Sequence, residues 1–242
     1  MRLTKLEHAC VRLEKDGEVL VIDPGTWSGP GVLDGATAIL VTHEHFDHLD
    51  ADLVRSALAG QPGLTLWTNP QLAEQFAEFG GRVHGVQEGE AFGVADFEVH
   101  VYGAPHALIH RDIPIVANTG FLVDGTVFHP GDALTVPEED VPVLLLPASA
   151  PWLKTGEMID YAREVNPRQG FAIHDAMLSD KGLAGLTNWL ALAGRPAGTP
   201  LDRLEPGSTV DLSSLSGLMR AARANGTVGY ALRSRHDQRF AR

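Results

Sequence analysis

The sequence predicts an α/β fold class, an αββα sandwich in which outer helices cover two β-rich halves. A plan of two short strands joined by an Asp-Gly turn, with an acid beside a Pro-Gly bend at its end, occurs in residues 11–25 and again in residues 121–132. Segments with helical periodicity are interspersed among the remaining short apolar strands. Helices placed among grouped strands are typical of sheets that are covered by helices.

The strands are predicted from short apolar segments and from turn residues. An Asp-Gly pair between two apolar runs is a strong hairpin signal, and it occurs at Asp16-Gly17 and at Asp124-Gly125. Five further apolar segments have the length of strands. They are residues 38–41, 64–67, 97–102, 143–146 and 170–174.

Four helices are predicted from apolar periodicity and from the residues at their ends. Asp50 and Asp52 would lie in the first turn of the first helix, where the helix dipole favours acids. Asn69 would cap the second helix, with Pro70 at the first helical position. The predicted helices are residues 47–59, 69–79, 156–165 and 181–192.

The composition is that of a globular protein. Of the 242 residues, 44% are hydrophobic and 21% are charged, and the 26 Gly and 15 Pro are scattered. No apolar run approaches the roughly 18 residues of a membrane span, and the N-terminus lacks the apolar core of a signal peptide. We therefore expect a soluble, cytoplasmic protein with residues 1–219 as one domain. We expect the Arg-rich residues 220–242 to belong to that domain or to form a tail.

The charge is acidic overall and unevenly distributed. The formal net charge is −12, while residues 220–242 carry a net +5, so residues 1–219 carry −17. An acidic body repels the phosphates of nucleic acids, whose binding depends on Lys and Arg. We therefore expect a small-molecule substrate, with no nucleic-acid partner and no membrane partner. The sequence leaves the oligomeric state open.

Four ligand-capable side chains lie within residues 43–48, which read HEHFDH. This segment connects a predicted strand to a predicted helix, and site residues are commonly placed on such loops. His43 and His45 can project toward one cation, while Asp47 and His48 can reach a second cation nearby. Neither cation would have enough ligands from this segment alone, so the rest of the chain should supply more.

Three further residues of the same chemical types follow predicted strands downstream. His106 and His174 come directly after apolar strands, and Asp132 lies at the second Pro-Gly bend. The only cysteine is Cys10, so a metal must be held by imidazole and carboxylate groups. Such a ligand set suits Zn(II), Fe(II) or Mn(II).

This order, HxHxDH followed by His, Asp and His, resembles that of the metallo-β-lactamase-fold hydrolases. The resemblance covers residues 1 to about 210 and implies two divalent metal ions. Zinc is the expected metal, with manganese and iron as alternatives. By this resemblance one ion is held by His43, His45 and His106, the other by Asp47, His48 and His174, and Asp132 bridges the two.

Within that superfamily the chain resembles small single-domain members near the ascorbate-phosphate lactonases. The β-lactamases of this fold either place a Cys on the second metal or lack the bridging Asp. Here Asp132 is present and the only Cys is at position 10, so antibiotic hydrolysis is disfavoured. The diiron reductases of the fold carry Glu where His45 stands and have a flavin domain, and neither feature occurs here.

The resemblance implies a hydrolase in which a bridging hydroxide attacks a small-molecule ester, lactone, thioester or phosphodiester. Asp47 or Asp132 would accept the proton of the attacking water, and His110 or, as a second choice, His129 would protonate the leaving group. Two divalent ions outweigh these carboxylates, so an anionic substrate is compatible with the site. A nuclease of the same fold, a mononuclear-iron redox enzyme and a non-catalytic metal-binding module are the alternatives.

Other residues near the motifs have open interpretations. Asp23 either orients a ligand His or stabilises its own turn, and His110 competes with His106 as a ligand. Trp152 and Lys154 either line the mouth of the site or form a capping Trp and a solvated Lys. Four histidines are expected to be structural or solvated, namely His8, His84, His100 and His236.

Overall fold

In a computed structural model of the chain, which describes residues 1–103 and 105–213, two mixed sheets of seven strands each pack face to face. In chain order the strands are β1 (Arg2–Glu7), β2 (Cys10–Lys15), β3 (Glu18–Ile22), β4 (Ala38–Leu40), β5 (Thr65–Thr68), β6 (Val83–Gly85), β7 (Ala91–Val94), β8 (Phe97–Tyr102), β9 (Gly120–Val123), β10 (Val127–His129), β11 (Val143–Pro147), β12 (Gln169–Ile173), β13 (Leu201–Asp202) and β14 (Thr209–Asp211). The α-helices are α1 (Ala51–Gly60), α2 (Pro70–Glu74), α3 (Thr155–Val165) and α4 (Asp180–Gly194).

Both sheets follow the same plan. The first has the order β14-β1-β2-β3-β4-β5-β6, and the second has the order β13-β12-β11-β10-β9-β8-β7. In each sheet the strands on one side of β3 or β10 are antiparallel neighbours, and those on the other side are parallel. The sequence echo falls on the equivalent hairpins β2–β3 and β9–β10. Parallel strands end at one edge of their sheet, and the loops at that edge carry the candidate site.

The two predicted hairpins are confirmed, and their turns need the residues that the sequence provides. Asp16 and Gly17 between β2 and β3 have φ values of +53° and +93°. Asp124 and Gly125 between β9 and β10 have φ values of +52° and +56°. Asp and Gly adopt positive φ more readily than most residues, so both turns form without a bulky residue in the left-handed region.

Within residues 1–103 and 105–213 there are four α-helices, one in each predicted helical segment, and their ends differ from the prediction in informative ways. Asp50 is the N-cap of α1 and accepts a hydrogen bond from Leu53 N (3.0 Å), so α1 starts four residues later than predicted. The preceding residues are held in an irregular loop instead. Asn69 caps α2 as predicted, and its side chain accepts a hydrogen bond from Leu72 N. The rest of the predicted second helix is a 3₁₀ segment, Ala77–Arg82, which is broken at Gly80.

Three apolar clusters produce the predicted four-layer αββα architecture, so the fold class is confirmed. The central cluster lies between the sheets and joins side chains such as Leu13 and Ile22 of the first sheet to Phe121 and Leu145 of the second. A second cluster packs the first sheet against α1 and α2. A third packs the second sheet against α3 and α4. The rigid sheets thereby fix the strand ends from which the site loops project.

Five strands of the described residues were not predicted, namely β1, β6, β7, β13 and β14. In β1 the reason is Lys5, which is 1% exposed and occupies a core-facing position that patterning assigns to an apolar residue. Its ammonium donates hydrogen bonds to Asp175 Oδ1 (2.6 Å) and Ala172 O (3.0 Å), which compensates its burial. None of the helices in residues 1–103 and 105–213 is long and apolar enough to cross a membrane. The predicted boundary at 219 and the Arg-rich residues 220–242 lie outside the described residues.

Candidate metal centre

The predicted ligands are all placed on loops that leave the same edge of the two sheets. Residues 43–48 follow β4, and His106 follows β8. Asp132 follows β10, and His174 comes directly after β12. Because these strands belong to two sheets packed face to face, residues far apart in the sequence meet at one place.

The structure gathers these residues into two groups whose ligand-capable atoms lie within 4.8 Å of one another. One group contains His43, His45, His106 and Asp132, and the other contains His8, Asp47, His48 and His174. Apart from His8, this division is the one that the resemblance implies. Asp132 faces both groups, because its Oδ2 lies 3.3 Å from His106 Nε2 and 3.1 Å from His174 Nε2. Its Oδ1 lies 3.1 Å from His48 Nε2.

The chemistry at this point fits divalent cations. Four buried side-chain atoms have no aligned hydrogen-bond partner among the described residues, although they approach one another closely: His48 Nε2, His106 Nε2, His174 Nε2 and Asp132 Oδ1. Buried polar atoms without hydrogen bonds are costly. Imidazole nitrogens and carboxylate oxygens that converge without hydrogen-bonding one another match the donor set of Zn(II), Mn(II) or Fe(II).

Hydrogen bonds behind the histidines fix which ring nitrogen faces the centre. The Nδ1 of His48 donates to Asp23 Oδ2 (2.6 Å), and the Nδ1 of His174 donates to the carbonyl oxygen of Ser149 (2.6 Å). The Nδ1 of His106 donates to the carbonyl oxygen of Ala107. A neutral imidazole that carries its proton on Nδ1 presents a free lone pair on Nε2, which is the form that binds a metal.

Asp23 orients two histidines through one carboxylate. It is fully buried and accepts hydrogen bonds from the backbone N–H of Thr42 (2.7 Å), the Thr42 hydroxyl (2.7 Å) and His48 Nδ1 (2.6 Å). Since the Thr42 hydroxyl donates to Asp23, its oxygen accepts from His43 Nδ1 at 2.9 Å. Of the two interpretations of Asp23, this geometry supports the orienting one.

The buried carboxylates of the site favour cations. Burial alone would raise the pKa of Asp132, but the surrounding imidazoles, His48 first, hold that pKa well below its usual range. Burial would lower the pKa of His48, yet the carboxylates of Asp132 and Asp23 raise it well above its usual value, so without a cation they favour a second proton on His48 that a bound metal would replace. The pKa of Asp47 is also lowered, because the adjacent imidazoles of His174 and His8 outweigh the effect of burial. Both carboxylates are therefore anionic at neutral pH.

A family model described as the beta-lactamase superfamily domain matches residues 2–174 of this chain. The chain belongs to this superfamily. The matched range includes all seven predicted ligands, and the family resemblance seen in the sequence is confirmed.

The chain is similar to two relatives and to one solved structure. Protein Rv0786c of Mycobacterium tuberculosis is 40% identical over 185 residues, which cover 74% of this chain and 86% of that protein. A protein of Exiguobacterium sp. named as a metal-dependent hydrolase is 32% identical over 145 residues, covering 54% of this chain and 63% of that relative. Igni18, a metallo hydrolase of Ignicoccus hospitalis, shares the fold with a TM-score of 0.67 at 19% identity, over 86% of this chain and 97% of that one.

His8 joins the centre of this superfamily member, although the sequence predicted a structural or solvated role. It is 1% exposed, and its Nε2 lies 3.3 Å from Asp47 Oδ2. Its Nδ1 accepts a hydrogen bond from Ala176 N (3.3 Å), and its carbonyl oxygen accepts one from His174 N (3.0 Å). A single His between β1 and β2 is not part of a recognisable ligand motif in the sequence. Only the folding of the sheets brings it to the site.

His129 is placed where it is unable to act as the predicted proton donor. It is fully buried, its Nε2 donates to the carbonyl oxygen of Ala9 (2.9 Å), and its Nδ1 accepts from Gly131 N (3.1 Å). Both ring nitrogens thus form hydrogen bonds with backbone atoms. The prediction that His129 protonates the leaving group is therefore corrected.

The remaining predicted residues lie around the mouth. The side chain of His110 is 57% exposed and its Nδ1 accepts a hydrogen bond from Asp112 N (3.2 Å), so it sits on the outer loop and not among the ligands. The indole N–H of Trp152 donates to Asp132 Oδ2 (2.9 Å), which places Trp152 at the centre. Lys154 instead pairs with Glu157 at the start of α3 in solvent.

Proposed function

We propose that this chain is a metal-dependent hydrolase that holds two divalent cations, with zinc as the preferred metal. The observation that carries the proposal is the convergence of three imidazole nitrogens from both groups on Asp132, at 3.1–3.3 Å and without hydrogen-bond alignment. One carboxylate shared by two sets of histidines is suited to bridging two cations. The proposed substrate is a small-molecule ester, lactone, thioester or phosphodiester.

Cations bound there would lower the pKa of a coordinated water toward neutrality and polarise the carbonyl or phosphoryl oxygen of the substrate. The residues of the chain preorganise that chemistry. Asp23 and Thr42 hold His48 and His43 in the ligand tautomer. Asp132 is fixed on two sides, since its backbone N–H donates to Asn118 Oδ1 (2.9 Å) and its Oδ2 accepts from Trp152.

The hydrogen bonds of His129 leave one of the two predicted proton donors. Because both ring nitrogens of His129 are occupied, His110 remains as the protonating group among the two that the sequence indicated. Asp47 has the more accessible of the two carboxylates, with 15% of its side chain exposed against 4% for Asp132. We assign acceptance of the water proton to Asp47 for that reason.

The relatives support the same class of activity. The Exiguobacterium protein and other relatives at 27–35% identity are named as metal-dependent hydrolases. The chain spans less than two thirds of the length of those relatives, so their activity is carried over here only as a proposal.

The proposal is tested by a hydrolysis screen on purified protein whose metal content is measured on the same sample. The panel contains lactones, thioesters, p-nitrophenyl esters, bis-p-nitrophenyl phosphate and sugar phosphates. We expect turnover of at least one class, two zinc ions per chain, and loss of turnover in Asp132→Ala. Asp52→Ala, which removes an exposed acid at the start of α1, is the matched control and should keep both the turnover and the two zinc ions. Iron as the bound metal with oxygen uptake would favour the redox alternative.

A further inference from the structure

Exposed apolar side chains are concentrated around the candidate metal centre. Eight large apolar residues are strongly exposed among the described residues, and seven of them lie on loops that follow the strand ends of the site. We call these seven the apolar rim: Trp27, Phe46, Leu108, Ile113, Ile115, Val136 and Met177. The eighth, Trp189, lies on α4. Isolated exposed apolar residues are ordinary, whereas their collection at one place marks a binding surface.

Each of the five loops that carry the apolar rim also carries a residue of the centre. Trp27 follows Asp23 on the loop after β3, and Phe46 lies within residues 43–48. Leu108, Ile113 and Ile115 follow His106. Val136 follows Asp132, and Met177 follows His174. A molecule that reaches the centre therefore meets apolar side chains from five of the loops that surround it.

Contacts join the apolar rim to the centre directly. The Trp27 ring packs edge-on against Phe46 with centroids 5.4 Å apart and against His8 at 4.8 Å. The loop that carries Leu108 is pinned at its base, where His106 N donates to Val116 O (3.0 Å). Its exposed apolar side chains thus extend from a fixed point at a predicted ligand.

We propose that the apolar rim binds the apolar part of the substrate, and that the preferred substrates are esters or lactones with a medium-length or long hydrocarbon chain. This inference rests on the proposed hydrolase function and names its substrate class. A substrate is favoured over a protein partner because the side chains come from five loops around the reacting position. A protein seated on them would close the site.

The test is a series of p-nitrophenyl esters from acetate to octanoate, kept below their aggregation limits, with the zinc-loaded full chain. We expect kcat/KM to rise by up to about fourfold for each added methylene until the rim is filled. Phe46→Ala should lower the ratio of kcat/KM for octanoate to that for acetate by about tenfold. Trp189→Ala removes the exposed ring on α4 and should leave that ratio unchanged.

The outcomes separate this inference from the proposed function. Hydrolysis with a flat dependence on chain length would overturn the substrate class and leave the hydrolase intact. No turnover of any ester, lactone, thioester or phosphodiester would overturn the proposed function itself. A flat series together with a dimer that dissociates in Phe46→Ala on size-exclusion chromatography would assign the apolar rim to a second copy of the chain.

A second observation, the hydrogen bonding of His8, carries a separate inference. The backbone N–H of Ala176 donates to His8 Nδ1, so a neutral His8 carries its proton on Nε2. That nitrogen therefore donates to Asp47 Oδ2 at 3.3 Å and has no lone pair for a metal. We infer that His8 is a positioning residue that holds Asp47 in place.

The test of His8 is a calorimetric titration of the metal-free full chain with Zn(II). In His8→Ala we expect one of the two zinc ions to bind about 10- to 100-fold more weakly, with the other unchanged. His8→Gln keeps an N–H donor near the position of Nε2 and should restore part of the loss. The inference would be overturned if both ions bound equally more weakly, or if His8→Ala bound zinc like the wild type. An identical loss in His8→Ala and His8→Gln would also overturn it, because that result is expected of a metal ligand.

Discussion

Gly25 allows the loop after β3 to approach the metal-binding segment more closely than any other residue permits. A Cβ at position 25 would lie 2.0 Å from the carbonyl oxygen and 2.3 Å from the carbonyl carbon of Asp47, and 2.8 Å from the backbone nitrogen of His48. Ordinary contact begins at 3.4 Å, so the two backbones must separate by about 1.4 Å in Gly25→Ala. All three atoms belong to the backbone, so no change of side-chain rotamer can relieve the clash.

Gly25→Ala therefore displaces two predicted ligands without changing any ligand side chain. A misplacement of about 1 Å at a catalytic centre costs on the order of 100-fold in activity, and overpacking costs about 1–3 kcal/mol of stability. We expect kcat/KM to fall by about 100-fold and the second zinc ion to be lost on dialysis. The measurements are hydrolysis kinetics, metal content by mass spectrometry and urea unfolding of the same samples.

The matched control is Gly63→Ala in the loop before β5, where a Cβ would meet nothing within 4 Å. It should retain activity and metal and change the unfolding free energy by no more than about 0.5 kcal/mol. Wild-type zinc content and kcat/KM in Gly25→Ala would refute the reasoning, because they would show that the placement of Asp47 and His48 by this contact has no bearing on the site.

Three further predictions concern the hydrogen bonds and the core. Asp23→Asn puts an N–H where the carboxylate now accepts from His48 Nδ1, which favours the tautomer with its proton on Nε2. Zinc titration should show an affinity weaker by about 10- to 100-fold. An unchanged zinc affinity would contradict this prediction. Hydrogen bonds to Glu139 and Glu98 outweigh the effect of burial and raise the pKa of His100. This interaction therefore stabilises the fold below pH 6.5, and the stabilisation is lost as pH rises through the raised pKa. Urea unfolding of His100→Gln should show a larger loss of unfolding free energy at pH 5.5 than at pH 8.5, and equal losses would exclude the effect. Phe121→Ala empties a fully buried position between the sheets and should cost about 3–5 kcal/mol in urea unfolding, with a cost below 1 kcal/mol counting against the assigned core.

Much of the fold was predictable because its signals are local. The two Asp-Gly turns, the Asn69 cap and the apolar strands each depend on residues adjacent in sequence. The division of the ligands into two groups was predictable as well, since it follows from the resemblance and the order of the motifs. The start of α1 was predicted too early because Asp47 and His48 are part of the site loop and not of the helix.

Contacts between distant segments were not predictable from patterns in one sequence. His8 reaches Asp47 only because the turn between β1 and β2 meets the residue after β12, where His174 N donates to the carbonyl oxygen of His8. The sequence pattern predicts a solvated Lys5, yet Lys5 is buried because its ammonium donates hydrogen bonds to Ala172 and Asp175, which lie 167 and 170 residues downstream. The direction of the His129 ring also depends on a carbonyl oxygen of Ala9, which is 120 residues away.

Anomalous X-ray scattering at the zinc absorption edge, from crystals of the zinc-loaded protein, tests the dinuclear centre most directly. The predicted result is two peaks, one beside His43, His45 and His106 and one beside Asp47, His48 and His174, with Asp132 between them. A single peak, or peaks away from both groups, would contradict the assignment.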